Sequence, residues 1–333
     1  MRWLHGSFLV LGAALFAVLI WSVGLETLWH DAARLGWALA VIVAVEGVSD
    51  ILRTAAWQRC FRAERRPGVL RLWWPHLAGA AVNFVTPTAT LGGEVVRGTL
   101  VPAEIPRSEA AASVVVNKLT LSLADTTVCL SGAAVVLLRA PLSDEWRHAI
   151  LVAVGLLLAG VAAFFWVQRT GRLATLVGRR SMVTWMLGSE RAERVGQISE
   201  EIDERIAAVH DEGVWNVLQS VILHLMGRFV GMFQLWIFLM AMGAPADITT
   251  VFTVFVVGRA VDLATFLVPA SLGTQEGGFM LAISLAGIPA SLGLLFSLAL
   301  RIEQIVWAGI GFAAYGGMIW QGRRQVRPAE AKP

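Results

Sequence analysis

The stretch RAVDLATFLVPASLGTQEGGFMLAISLAGI, residues 259–288, is apolar enough for a membrane and broken in its middle. Pro269, Gly273, Gly277 and Gly278 interrupt two hydrophobic runs, and Gln275 and Glu276 sit beside the break. A helix that only crosses lipid has no use for this. Backbone N–H and C=O groups freed at membrane depth persist only inside protein or beside a watery cavity. The break therefore marks a candidate site, and the chain around it should be embedded as well.

Composition agrees. Of 333 residues, 56% are hydrophobic and 15% charged, with a mean hydropathy of +0.67. Soluble domains carry about 25% charged residues. Several separate runs approach the roughly 20 residues that span lipid, and the alternation of a membrane β-barrel is missing. Cys60 and Cys129 make neither a disulfide framework nor a metal site. The formal charge is only +3, and the arginines cluster in particular loops, which speaks to topology and against nucleic acid as a partner. No phosphate loop, histidine-rich ligand set or paired-carboxylate motif stands out, so neither a cofactor nor an enzyme activity is expected.

Moving outward, the flanking spans carry charge. Residues 214–240 hold His224, Arg228 and Gln234 inside an apolar run. An intramembrane arginine is costly and needs a partner, either a buried carboxylate or an anionic lipid headgroup. Residues 291–319 form the last span, with Arg301 and Glu303 before its midpoint. Residues 77–100, LAGAAVNFVTPTATLGGEVVRGTL, echo the opening pattern: Pro87 and the Gly92–Gly93 pair break the run, with Glu94 and Arg97 just beyond. The span at 110–138 contains Asn117, Lys118 and Asp125, the last two seven residues apart and so on one side of a helix. In the span at 35–57, Glu46, Asp50 and Arg53 share a face. Asp50 and Arg53 read as a pair at the membrane interface, and Glu46 as a candidate for a polar cavity.

Positive-inside asymmetry sets the topology. Arg59, Arg62, Arg65, Arg66 and Arg71 place the loop after residue 57 in the cytoplasm. The basic insert 168–213, with an amphipathic helix at 192–209, and the basic tail 321–333 go to the same side. The first apolar run, 8–23, reads as a retained helix. Full crossings at 8–23, 35–57, 110–138, 149–167, 214–240 and 291–319 satisfy these assignments if both broken elements return to the side they left. The expected fold is an all-α polytopic membrane bundle forming one domain over 1–320. It has about six full spans and two opposed re-entrant hairpins, compatible with an inverted repeat and a midplane site. Both termini are cytoplasmic.

A half-helix that starts inside such a bundle offers free N–H groups and a partial positive charge. Gly92–Val96 and Gln275–Phe279 are the expected starts. Glu94 and Glu276 suit those starts and can take a basic partner such as Arg97, Arg259 or Arg301. The arrangement fits an amphiphile that slides its headgroup along a polar crevice while its tail stays in lipid.

Three segments also carry a family resemblance: NFVTPTATLGGEVVRGTLV (83–101), SEAAASVVVNKLTLSLAD (108–125) and LVPASLGTQEGGFML (267–281). The chain resembles the lysylphosphatidylglycerol synthase transmembrane-region family over roughly residues 5–320. It looks closest to the HpnL-like, hopanoid-associated branch. Gly92, Gly93, Glu94 and Arg97 match one family motif, and Gly273, Glu276, Gly277 and Gly278 another. Glu94 stands where Asp is common, and Lys118 stands in a segment that is commonly acidic or neutral. The resemblance implies a lipid flippase of a bacterial inner membrane without the soluble aminoacyl-transferase domain. Its partners are then membrane lipids, a hopanoid or related polar lipid among them. The alternative is a non-catalytic accessory subunit, whose partners are lipid-modifying enzymes or a second copy of the chain. The residues expected to meet the substrate are Gly92, Gly93, Glu94, Arg97, Lys118, Asp125, Arg228, Arg259, Gly273, Gln275, Glu276, Gly277, Gly278 and Arg301.

Overall fold

A computed structural model describes residues 33, 35–85, 91–139, 143–169, 214–264 and 274–326. Within them the chain is all helix and turn. The helices are α1 (Trp37–Gln58), α2 (Val69–Val85), α3 (Leu91–Leu100), α4 (Arg107–Arg139), α5 (Asp144–Arg169), α6 (Val214–Ala241), α7 (Ile248–Ala264), α8 (Thr274–Leu285) and α9 (Ala290–Val326). A short 3-10 turn, Ala63–Arg65, lies between α1 and α2. The first apolar run, the basic insert with its amphipathic helix, and the proline-centred breaks at 86–90 and 265–273 lie outside the described residues.

Among the described residues, four helices are long and apolar enough to cross a membrane: α4, α5, α6 and α9. The chain is a polytopic helical membrane bundle. At 22 residues, α1 also has the length, about 33 Å, but Glu46, Asp50 and Arg53 set it apart from the apolar four. The limbs beside the breaks are shorter. α2 and α7 have 17 residues each, α3 has 10 and α8 has 12.

The packing falls into two series, α1–α4 and α6–α9. In the first, α1 packs on α2, α2 on α3 and α3 on α4. In the second, α6 packs on α7, α7 on α8 and α8 on α9. Across the series α1 lies on α6, α2 on α9 and α7 on α4. Exchanging the series turns the α2–α9 contact into α7–α4, and α1–α9 into α6–α4. Each short limb pair is therefore clasped between the long helices of both series. α5 packs on α4 and is exposed along most of its described length.

Small residues make this clasp close. Apolar side chains gain little by leaving lipid for protein, so membrane helices associate through backbone approach and hydrogen bonds. A Cβ on Gly93 would run into the Gly79 carbonyl, so α2 and α3 touch backbone to backbone. A Cβ on Gly132 would meet the Val256 carbonyl of α7 at 2.6 Å, and one on Gly311 would collide with the Leu77 carbonyl of α2. These two glycines hold corresponding places, α4 against α7 and α9 against α2. Gly243 and Gly287, at φ +66° and +75°, end α6 and α8 with the same turn. In each, the next residue's N–H reaches back, Ala244 to Leu239 at 2.9 Å and Ile288 to Ile283 at 3.2 Å. That left-handed position suits glycine.

An apolar cluster centred on Phe238, Phe255, Phe279 and Phe296 fills the space between α6, α7, α8 and α9. The other side of the bundle is strung with polar groups, and these form the candidate site.

Candidate functional site

Glu94 lies in the first turn of α3, where the helix N-terminus favours a carboxylate. It meets two cations: Arg97 of the same helix at 3.4 Å and Lys118 of α4 at 3.6 Å. The α3 start is fixed from behind, because the Gly93 N–H donates to Asn83 Oδ1 at 2.7 Å. Gly92 and Gly93 are buried there.

Glu276 holds the matching place in the first turn of α8. Its partner is Arg301 of α9, at 2.7 Å. Arg301 also donates to Gln304, and Gln304 donates to Gln275 at 3.3 Å. Gln275 is buried, with Nε2 unbonded among the described residues. A Cβ on Gly278 would press on Val261 at 3.1 Å, whereas one on Gly277 would meet open space. Glu94 and Lys118 are 24 residues apart, and Glu276 and Arg301 are 25. Each short limb thus opens on a carboxylate that reaches the long helix following it.

The third pair joins the two series. Arg228 of α6 donates to Asp125 of α4. This answers the choice left by the sequence in favour of a carboxylate. On the same face of α6, His224 meets Asn117 Oδ1 at 3.1 Å and Ser220 donates to Thr120 at 2.8 Å. Lys118 and Asp125 share one side of α4, as their spacing predicts, but take different partners.

A fourth group lies at the centre. Arg53 donates to Glu46 at 2.8 Å and to Asp50 at 3.3 Å. Gln234 of α6 donates to Glu46 at 3.4 Å, and His76 Nε2 of α2 lies 3.5 Å from Asp50. The expected Asp50–Arg53 pair is present. Asp50 is 4% exposed and packs inside the bundle. Glu303 of α9 faces this group, near enough to Glu46, Asp50, Arg53 and Arg259 to feel their charge. Arg97 likewise acts on Asp50 and His76. Arg259 lies with its guanidinium carbon 5.9 Å from the centre of the Phe255 ring. Gly273 lies outside the described residues.

Seven of the expected residues, Glu94, Arg97, Lys118, Asp125, Arg228, Glu276 and Arg301, therefore form three ion-paired groups, beside a centre of which the sequence singled out only Glu46 for a polar cavity. Glu46, Asp50, His76 and Glu303 belong to that centre. Their signal was present: ionisable groups in apolar helices are functional candidates by default, and Glu46, Asp50 and Arg53 repeat at helical spacing. Nothing in the sequence pairs them with Glu303, some 250 residues away.

Cavities open among the described residues. One of about 390 Å³ lies between α4 and α5, lined by Leu119, Leu123, Leu156, Leu157 and Val161 with Ser122 and Thr126. Both hydroxyls donate to carbonyls of their own helix, at 2.8 Å, so the wall is effectively apolar. Lys118 stands one turn before Ser122 on the same face. The other cavity, about 540 Å³, lies under the basic loop, between Arg65, Arg66, Arg71 and Glu104. Among the described residues no cluster of His, Cys, Asp and Glu has the spacing to hold a metal ion.

The sequence model of the family described as lysylphosphatidylglycerol synthase TM region matches residues 9–310. No curated protein and no solved structure matches the chain.

Proposed function

Since the chain belongs to the lysylphosphatidylglycerol synthase transmembrane-region family, we propose that it moves a polar lipid between the leaflets of the bacterial inner membrane. The observation that carries this reading is the repeated ion pair. Glu94 with Lys118, and Glu276 with Arg301, each tie the start of a short limb to the next long helix. A lipid headgroup carrying phosphate, hydroxyl or amine can replace one half of such a pair. The charges of the site are then exchanged among partners and not stripped bare in lipid, which would cost several kcal/mol.

The two limb pairs are re-entrant hairpins in this reading, and the two series form an inverted repeat. The exchangeable contacts of α2 with α9 and α7 with α4 support it. The apolar cavity between α4 and α5 takes the acyl chain of a lipid whose head sits at Lys118. Orientation follows the arginines of the loop 59–71, with both termini cytoplasmic. Resemblance to the hopanoid-associated branch favours a hopanoid or related polar lipid as cargo, while the site itself asks only for an amphiphile.

The test is a vesicle assay with headgroup-labelled phosphatidylglycerol and a membrane-impermeant quencher. Wild-type protein is expected to expose the inner-leaflet label. Glu276→Gln and Glu94→Gln are expected to slow exposure, and Glu145→Gln on the exposed start of α5 to leave it unchanged. Wild-type rates in both site variants would overturn the assignment of the site. No movement of any lipid by the wild type would overturn the function.

A further inference from the structure

Four ionisable groups of the centre are held in contacts, and one is not. Glu46 and Asp50 share Arg53, and His76 touches Asp50. Glu303 is 6% exposed and, among the described residues, makes neither a hydrogen bond nor an ion pair within 4 Å. Its charged neighbours are two carboxylates and two arginines. From α1 come Glu46 and Asp50, with the single cation Arg53 already divided between them. Arg259 of α7 is also within reach, and it has contacts of its own. On α2 the nearest titratable group of the centre is His76, engaged with Asp50. On α8 it is Glu276, engaged with Arg301 of Glu303's own helix. Glu303 is thus the surplus carboxylate of the bundle centre. An unpaired carboxylate in such a place is the expensive form of the side chain, and the neutral carboxyl the cheap one.

We propose that Glu303 is a proton-binding site, and that its loading and release couple the bundle to a transmembrane proton gradient. The step is simple: a carboxylate oxygen takes a proton from water on one side and returns it to water on the other. No oxidant or second reactant is needed. A proton suits the geometry better than a metal ion, because the carboxylates are not spaced to share one. The position also explains how the charge is felt. Residues 301 and 303 point to nearly opposite sides of α9, about 200° apart. Arg301 therefore engages Glu276 while Glu303 faces Glu46 and Asp50. Neutralising Glu303 removes repulsion from the α1 cluster and frees α9 to shift against α1 and α8. Proton binding stands on the cluster alone, and only its coupling to lipid rests on the function proposed above.

Infrared titration of the reconstituted protein tests the site without any lipid assay. Wild type is expected to show the carbonyl stretch of a buried protonated carboxyl, lost reversibly as pH rises. Glu303→Gln should abolish that band, Glu303→Asp should keep it at a shifted pH, and Glu145→Gln should leave it untouched. A band that survives in folded Glu303→Gln, or no band in wild type, overturns the proposal. The coupling is tested in vesicles holding headgroup-labelled phosphatidylglycerol. A one-unit pH step across the membrane can bias the lipid by up to about tenfold per proton moved. Wild type should show a bias that Glu303→Asp retains and Glu303→Gln loses. Lipid movement indifferent to the step would overturn coupling and leave the transport function standing. Absence of all lipid movement would overturn that function, and the infrared band would still decide the proton site.

Discussion

The two glutamates that open the short limbs occupy matching places but are held differently. Glu94 divides itself between Arg97 and Lys118 at 3.4 and 3.6 Å, and the Lys118 side chain is 39% exposed. Glu276 lies 2.7 Å from an Arg301 side chain that is 1% exposed. The cation differs most: Lys118 is reachable and Arg301 is buried, while the two carboxylates are 11% and 19% exposed.

The connections differ too. The turn from α6 to α7 is short and capped. Asp247 accepts from the N–H groups of Thr249 and Thr250 at 3.0 and 3.1 Å and from the Thr250 hydroxyl at 2.5 Å. The connection from α1 to α2, residues 59–68, is longer, basic and bordered by a cavity.

The strongest way to break this comparison is to cut both pairs. Glu276→Ala takes the carboxylate from a buried arginine and is expected to cost about 3 kcal/mol. Lys118→Ala removes a half-exposed cation from a shared pair, and should cost under about 1 kcal/mol. Equal losses in thermal unfolding of the purified variants would mean the two sites are alike after all. Next in size is the glycine contrast between the limb starts. Gly93→Ala forces α2 and α3 apart and should cost about 1–3 kcal/mol. Gly277→Ala points into open space and should stay within about 0.5 kcal/mol of wild type. A tolerated Gly93→Ala would show that the α2–α3 contact is looser than its geometry.

The smallest effect concerns Asp247. The Thr250 hydroxyl first, and then backbone N–H groups, hold its carboxyl below the ordinary value. A lowered folded value means a contribution present above the unfolded carboxylate range, near pH 4, and lost as pH falls through the folded value. Asp247→Ala should therefore melt slightly below wild type at neutral pH, and the gap should close in acid. A gap that persists at low pH would assign the effect to packing of the turn and not to the cap's charge.

Much of this was readable in the chain. The spans at 110–138, 149–167, 214–240 and 291–319 fall within α4, α5, α6 and α9, because lipid imposes a length and a hydropathy that sequence displays directly. The limb starts at Leu91 and Thr274 lie beside Gly92 and Gln275, where glycine and acid together favour a helix N-terminus. Arg228 needed a partner, and its cost in lipid said so. What stayed hidden was which partner. An unspecified buried carboxylate and an anionic headgroup were both open for Arg228 on sequence, as were Arg97, Arg259 and Arg301 for Glu94 and Glu276.

The sequence by itself determined that this is a membrane bundle, that four of its runs form helices long and apolar enough to cross a membrane, and that acids stand beside both Pro- and Gly-broken stretches. Those follow from local rules: hydropathy, helix rise, and the conformations glycine and proline allow. Only the tertiary structure decided that α2 lies on α9 and α7 on α4, that Asp50 is buried, and that Glu303 is left over among carboxylates from α1. The reason is physical. In a bilayer, helix pairing depends on close backbone approach at a few small residues such as Gly93, Gly132 and Gly311, and on polar contacts between residues up to 264 positions apart. No periodicity in the chain records which of those surfaces will meet.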